Sequence, residues 1–139
     1  MKASVKWSGN MLFTGHGPSG HKVIMDASEK VGGEDSAARP LELLLLALGG
    51  CTGMDVISIL RKKRKTVTSM EISLEARQSE EHPRKLEGIK VTYLLKGPGL
   101  DETSVHRSVE LSDEKYCSVA ATLRIHVPVE WEVAVEETT

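Results

Sequence analysis

The chain has 139 residues, 40% of them hydrophobic, which suits one domain with a real core and leaves little room for a second. Its 18 basic and 20 acidic residues give a net charge of -2, so the whole-chain charge offers no general attraction to nucleic acid or anionic lipid. The amino-terminal residues lack the apolar core of a signal peptide, and we therefore expect a cytoplasmic protein.

The amino-terminal segment has the pattern of three short strands. Alternation of apolar and polar residues predicts a half-buried strand over Lys2–Ser8. Two further strands are predicted at Met11–Thr14 and Lys22–Asp26, on either side of a turn rich in glycine. These three elements predict an antiparallel meander.

A long apolar helix is predicted from Pro40 to about Lys63, because proline suits the first helical position and a leucine-rich run follows. The helix has almost no polar stripe and needs cover nearly all round, so we expect a homodimer in which a second copy supplies that cover. A membrane span is disfavoured because the charge-free run Leu43–Met54 is well short of the ~20 residues required.

Five further elements are predicted after this helix. They are an antiparallel pair of strands, two helices and a final strand: Thr66–Gln78, Gly88–Lys96, Asp101–Glu110, a helix that Ser112 caps and Asp113 begins, and Ile125–Glu136. The order of strands, long helix, strands, helices and strand predicts an α+β fold.

The first of two cysteines, Cys51, lies in the middle of the long helix, within the sequence Gly49-Gly50-Cys51-Thr52-Gly53. Glycines inside a helix are costly, and at this density they permit close approach of another segment or of a ligand. Cys51 is either a buried inert thiol or a reactive one that needs a cation or donor from elsewhere, because Asp55 one turn later opposes thiolate formation.

The second cysteine, Cys117, is predicted early in the helix that Ser112 caps, with Lys115 nearby, so its electrostatic surroundings favour a thiolate more than those of Cys51. It can act as a resolving thiol, or as a small apolar residue on the inner face. Two cysteines cannot fill a thiolate-rich zinc site and no histidine shows ligand spacing, so neither metal nor cofactor is expected. The basic run Arg61–Lys65 is better explained by the carbonyl end of the helix than by nucleic acid.

Three segments together resemble the OsmC/Ohr superfamily, and look closest to its YhfA-like branch. They are the opening Lys2–Trp7, the stretch from Pro40 to Gly49-Gly50-Cys51-Thr52, and Glu114–Ala120. The resemblance implies an intertwined homodimer with active sites at the subunit interface. It also implies that Cys51 is a peroxidatic cysteine, which attacks an organic hydroperoxide, and that Cys117 resolves the sulfenic acid as a disulfide.

The chain departs from that pattern in the groups that support the thiolate. The family's peroxidases place a glutamate directly after the helix-opening proline and pair it with an arginine from an early loop. Here Leu41 stands in the glutamate's place. The candidates to support the thiolate instead are Arg39, Glu42, His16 and His21, although a solvated loop position explains the histidines and Arg39 equally well.

Two functions from different classes remain open. The first is a two-cysteine hydroperoxide reductase for oxidative stress, with an apolar interface pocket and an external dithiol as reductant. The second is a non-catalytic binding protein for a small apolar or thiol-bearing metabolite, which the missing glutamate and arginine motivate. Neither a membrane nor a nucleic acid is expected as a partner.

Overall fold

The structure, a computed structural model, describes residues 1–139 and divides into two compact units, Met1–Leu44 and Leu45–Thr139. The first unit contains an antiparallel sheet of three strands in chain order, β1 (Ser4–Trp7), β2 (Phe13–His16) and β3 (Lys22–Met25). The predicted opening meander is therefore confirmed, although β1 and β3 are shorter than predicted and β2 is shifted by two residues.

A buried carboxylate organises the loop that follows β3. Asp26 is only 4% exposed, and its oxygens accept hydrogen bonds from the backbone of Ala27, Glu34 and Ser36 and from the Ser36 hydroxyl. The Ser36 hydroxyl contributes most to holding the Asp26 pKa at about 2. These bonds fix the chain shortly before the long helix begins.

The long helix, α1, runs from Pro40 to Lys62, within one residue of its predicted end. Two of its glycines explain how closely it packs on the strand that follows. A Cβ atom added at Gly49 would lie 2.9 Å from Leu74 Cδ1, and one added at Gly53 would lie 2.9 Å from Ile72 Cδ1. The predicted close approach at the glycines is therefore made by aliphatic side chains.

The second unit contains a second three-stranded sheet in the order β4 (Ser69–Gln78), β5 (Leu86–Pro98) and β6 (Val129–Thr138). The β4 and β5 strands are antiparallel as predicted, whereas β5 and β6 are parallel. A parallel pair needs a crossover connection, and here it consists of the helices between β5 and β6. The alternating residues of central β5 supply much of the core.

The crossover differs from the predicted pair of helices. The helix α2 spans Glu102–Leu111, Ser112–Tyr116 continues it as one π-helical turn, and α3 spans Ser118–Arg124. The prediction that Ser112 caps a helix containing Cys117 was wrong, because Ser112 has helical backbone angles and Cys117 is itself the N-cap of α3. The last strand also begins later than predicted, since residues 125–127 form a turn in which the His126 and Val127 N–H groups donate to the Leu123 carbonyl oxygen.

Within one chain, α1 is not covered all round. Leu46 is 60% exposed and Met54 is 75% exposed, and in the first unit Trp7 of β1 is 67% exposed. The helix is long and apolar enough to cross a membrane by composition alone, but core helices of soluble proteins share that property.

Candidate active site

The fold brings the two cysteines together. Cys51 lies in the middle of α1 and is partly exposed, whereas Cys117 at the N-cap of α3 is 2% exposed. Their sulfur atoms and a carboxylate oxygen of Asp55 all lie within 4.8 Å of one another. Both thiols are free, and a disulfide between them would require the two sulfur atoms to approach to about 2.05 Å.

The surroundings of Cys51 favour its thiolate. Burial opposes ionisation of this side chain, but the backbone N–H of Val119, the Cys117 thiol and the Ser118 hydroxyl together outweigh it and lower the Cys51 pKa. The Ser118 hydroxyl oxygen is 3.9 Å from the Cys51 sulfur. Asp55 acts in the opposite direction, as the sequence predicted. The start of α3 therefore supplies the donors that the helix position of Cys51 lacks.

The Cys117 thiol is shifted the other way. Burial is the main cause of its raised pKa, and the nearby Cys51 and Asp55 add to the shift. The expectation that Cys117 has the more favourable surroundings for a thiolate was wrong, because Lys115 lies over the Tyr116 ring instead. Cys117 therefore remains a thiol under conditions in which Cys51 ionises, although the Ala120 N–H donates to its sulfur.

A buried hydroxyl chain lies beside the cysteines. Thr52 Oγ1 is 2.7 Å from the Tyr93 hydroxyl and 2.9 Å from Ser112 Oγ, which donates to Asp55 Oδ2. Because the Ser112 proton goes to the carboxylate, Thr52 donates to Ser112 and Tyr93 donates to Thr52. Burial raises the Tyr93 pKa to about 12, so the phenol keeps the proton that it donates.

Replacing Thr52 with valine is expected to lower the free energy of unfolding by about 1–3 kcal/mol. Thr52 is 3% exposed, and its loss leaves the Tyr93 and Ser112 hydroxyls without their shared partner. Urea denaturation followed by circular dichroism would measure the change. Thr52→Ser keeps the hydroxyl and should cost less. Equal stability of the valine and serine variants would show that the hydroxyl chain contributes nothing.

The other predicted site residues have local roles in the first unit. The Arg39 guanidinium binds Asp35 and the Ala37 carbonyl oxygen, and the Arg39 backbone N–H donates to Glu42 at the start of α1. His16 ends β2 and His21 lies in the turn before β3; both are exposed. In one chain, the groups that lower the Cys51 pKa come from residues 117–119.

Sequence reasoning missed most of the polar neighbours of the two thiols. The proximity of Asp55 to Cys51 could be predicted, because residues four apart share a helix face. For Ser118, the only indication in the sequence was its position next to Cys117. Tyr93 and Ser112 meet Thr52 from distant parts of the chain, and no local pattern predicts those contacts.

The fold and the two neighbouring thiols define a small α+β protein with a pair of free cysteines at one site. The family model described as OsmC-like protein matches residues 33–132, and the chain belongs to the OsmC family. The resemblance inferred from the sequence is thereby confirmed.

Relatives support this assignment both by sequence identity and by structural similarity. Protein YhfA of Escherichia coli strain K12 is 42% identical over 123 residues, which cover 88% of this chain and 89% of YhfA. The crystal structure of a hypothetical protein from Aquifex aeolicus VF5 has a TM-score of 0.80 at 33% identity, covering 98% and 97% of the two chains. An organic hydroperoxide resistance protein OsmC from Legionella pneumophila shares the fold, with a TM-score of 0.69 at 16% identity over 96% of each chain.

Proposed function

We propose that the protein reduces organic hydroperoxides, with Cys51 as the peroxidatic cysteine and Cys117 as the resolving one. The main observation behind the proposal is that the two cysteine sulfur atoms lie close together and that the pKa values of their thiols are shifted in opposite directions. A lowered pKa supplies the nucleophilic thiolate at Cys51. The neighbouring Cys117 stays protonated until it is needed. The hydroperoxide named for the Legionella relative supports the same substrate class.

The chemistry balances in three steps. The Cys51 thiolate attacks the terminal oxygen of ROOH, the O–O bond breaks, and with one proton the products are Cys51 sulfenic acid and ROH. The Cys117 sulfur then attacks the Cys51 sulfur, an S–S bond forms, and water leaves with the thiol proton. An external dithiol reduces the disulfide by exchange and is itself oxidised to a disulfide, which restores both thiols.

Thiol titration tests this proposal directly. One equivalent of cumene hydroperoxide added to the reduced protein should remove both titratable thiols per chain, and peptide mapping should find the Cys51–Cys117 link. The Cys51→Ser variant should keep its remaining thiol under the same treatment. Retention of both thiols by the native protein would refute peroxidatic chemistry at Cys51.

A groove beside α1 bears on assembly and on the alternative function. It has a volume of about 830 Å³, and its lining residues are mostly apolar: Gly49, Gly50, Gly53, Met54, Ile57, Met70 and Ile72, with Ser58, Arg61 and Lys62. We propose that a second copy of the chain covers this groove, because the exposed apolar side chains of α1 need burial. Occupation by a small apolar or thiol-bearing metabolite is the competing possibility.

Replacing Met54 with glutamate is expected to weaken the homodimer by at least about 100-fold, since about 3–6 kcal/mol is lost in all. A twofold axis removes two buried methionines at once, at about 1.5–3 kcal/mol each. Sedimentation velocity across a concentration series measures the change, and Ile125→Glu is the matched control, since both side chains are 75% exposed in one chain. A native monomer that carries a bound apolar molecule by mass spectrometry, with unchanged affinity after Cys51→Ala, would favour the binding function instead.

A further inference from the structure

A carboxylate oxygen lies close to the two cysteine sulfur atoms and is a third possible metal ligand. Cys51, Asp55 and Cys117 each place one donor atom so that all three atoms lie within 4.8 Å of one another. The cysteines come from α1 and the start of α3, while Asp55 lies one helical turn after Cys51. In the sequence, histidines were the only further metal ligands considered, and none showed ligand spacing. The structure supplies a carboxylate as the third ligand instead.

This donor set suits a soft or borderline divalent cation. Zn²⁺ binds thiolates at ~2.3 Å and carboxylate oxygens at ~2.0–2.2 Å, so the donor atoms of a tetrahedral site lie roughly 3.4–3.8 Å apart. Donor atoms that lie up to 4.8 Å apart must approach one another by at most about 1.4 Å to reach that geometry. Two thiolates and one carboxylate also leave the fourth position free for water.

We propose that the reduced protein binds one Zn²⁺ ion through Cys51, Cys117 and Asp55. Neighbouring groups hold two of the three ligands in place, since the Ser112 hydroxyl donates to Asp55 and the Ala120 N–H donates to the Cys117 sulfur. Because Cys117 is a thiol in the absence of metal, binding of the ion releases its proton, and the divalent charge offsets the repulsion among the three ligands that results.

The site has a route from solvent. Cys51 and Asp55 are partly exposed, and a cavity of about 270 Å³ is lined by Asp55, Ser58, Ile59, Lys62, Leu111 and Tyr116. A metal ion therefore reaches the carboxylate before it meets the buried Cys117 sulfur. This entry path is the last feature that a metal site requires.

Metal binding and disulfide formation exclude each other. When a hydroperoxide oxidises the two thiols to a disulfide, two of the three ligands are lost, and the ion leaves. Conversely, a bound ion withdraws the thiolate that would attack the hydroperoxide. Zinc binding needs only the reduced thiols, so it stands or falls separately from the proposed peroxidase activity.

Titration of the reduced protein with Co²⁺ alone, as a spectroscopic substitute for Zn²⁺, tests the site. We expect one ion per chain, thiolate-to-cobalt charge-transfer absorption and the intense visible bands of tetrahedral Co²⁺, all removed by Zn²⁺. Cys51→Ser and Cys117→Ser should each weaken binding at least tenfold and reduce the charge-transfer band. Protein oxidised to the intramolecular disulfide should show neither spectrum.

The carboxylate is tested with a matched pair of variants. Asp55→Asn should weaken Co²⁺ binding at least tenfold while keeping the charge-transfer band, and Asp113→Asn should bind as the native chain does, because Asp113 pairs with Arg124 outside the cluster. If Asp55→Asn does not fold, Asp55→Glu replaces it and should still bind. Absence of charge-transfer absorption in the native protein, or equal binding by the Asp55 and Asp113 asparagine variants, would overturn the proposal.

Discussion

Replacing Cys51 with serine is expected to reduce the rate of hydroperoxide consumption by about 1,000-fold or more, to the uncatalysed background. A serine hydroxyl does not ionise in the range where the Cys51 thiolate forms, and it cannot become a sulfenic acid. Peroxide consumption in the presence of dithiothreitol measures the effect. Substantial residual activity in the serine variant would show that Cys51 is not the residue attacked.

The Cys117→Ser variant separates the two proposed roles. It should still consume one equivalent of hydroperoxide and form a sulfenic acid at Cys51, which dimedone can trap, but it should form no intramolecular disulfide. In the native protein the rate of the first turnover should rise with pH through a midpoint below that of an ordinary cysteine, because the neighbours of Cys51 lower its pKa. A midpoint above the ordinary value would contradict the electrostatic description of the site.

Replacing Leu95 with alanine is expected to reduce the free energy of unfolding by about 2–5 kcal/mol, a large share of the roughly 5–15 kcal/mol that a domain has. Leu95 is fully buried in β5, where it lies opposite Met70 of β4 and Val135 of β6. Truncation leaves a cavity in the middle of the second sheet. Chemical denaturation measures the loss.

The adjacent leucine provides the control for this prediction. Leu94 lies on the opposite face of the same strand and is 36% exposed, so Leu94→Ala should cost much less than Leu95→Ala. Similar losses for the two variants would mean that the core does not lie where the burial pattern of β5 places it.

The elements that could be predicted are those whose pattern is local. Alternation in the opening strands predicted the meander to within about two residues, and the leucine-rich run after Pro40 predicted α1 to within one. Both patterns reflect backbone periodicity, which a short window of sequence contains. The side chains of β5 alternate for the same reason, and its pairing with β4 was predicted as antiparallel.

The parts that could not be predicted depend on distant contacts. Ser112 has the residue type of an N-cap, but its hydroxyl instead binds Asp55 and Thr52 across the core, and the helix continues past it as a π-helical turn. This shift by a few residues makes Cys117 the N-cap and brings the α3 amides towards Cys51. No local pattern indicates a contact of this kind.

The parallel pairing of β5 and β6 has a consequence for the folding of each newly made chain. Cys117 lies within the crossover that joins these two strands, so we expect its approach to Cys51 to require the pairing of the carboxyl-terminal strand. Before that pairing Cys51 lacks both its resolving partner and the donors that lower its pKa, so we expect it to react only as an ordinary thiol. Under the proposed peroxidase function, completion of the fold therefore both activates Cys51 and supplies the thiol that protects its sulfenic acid from further oxidation.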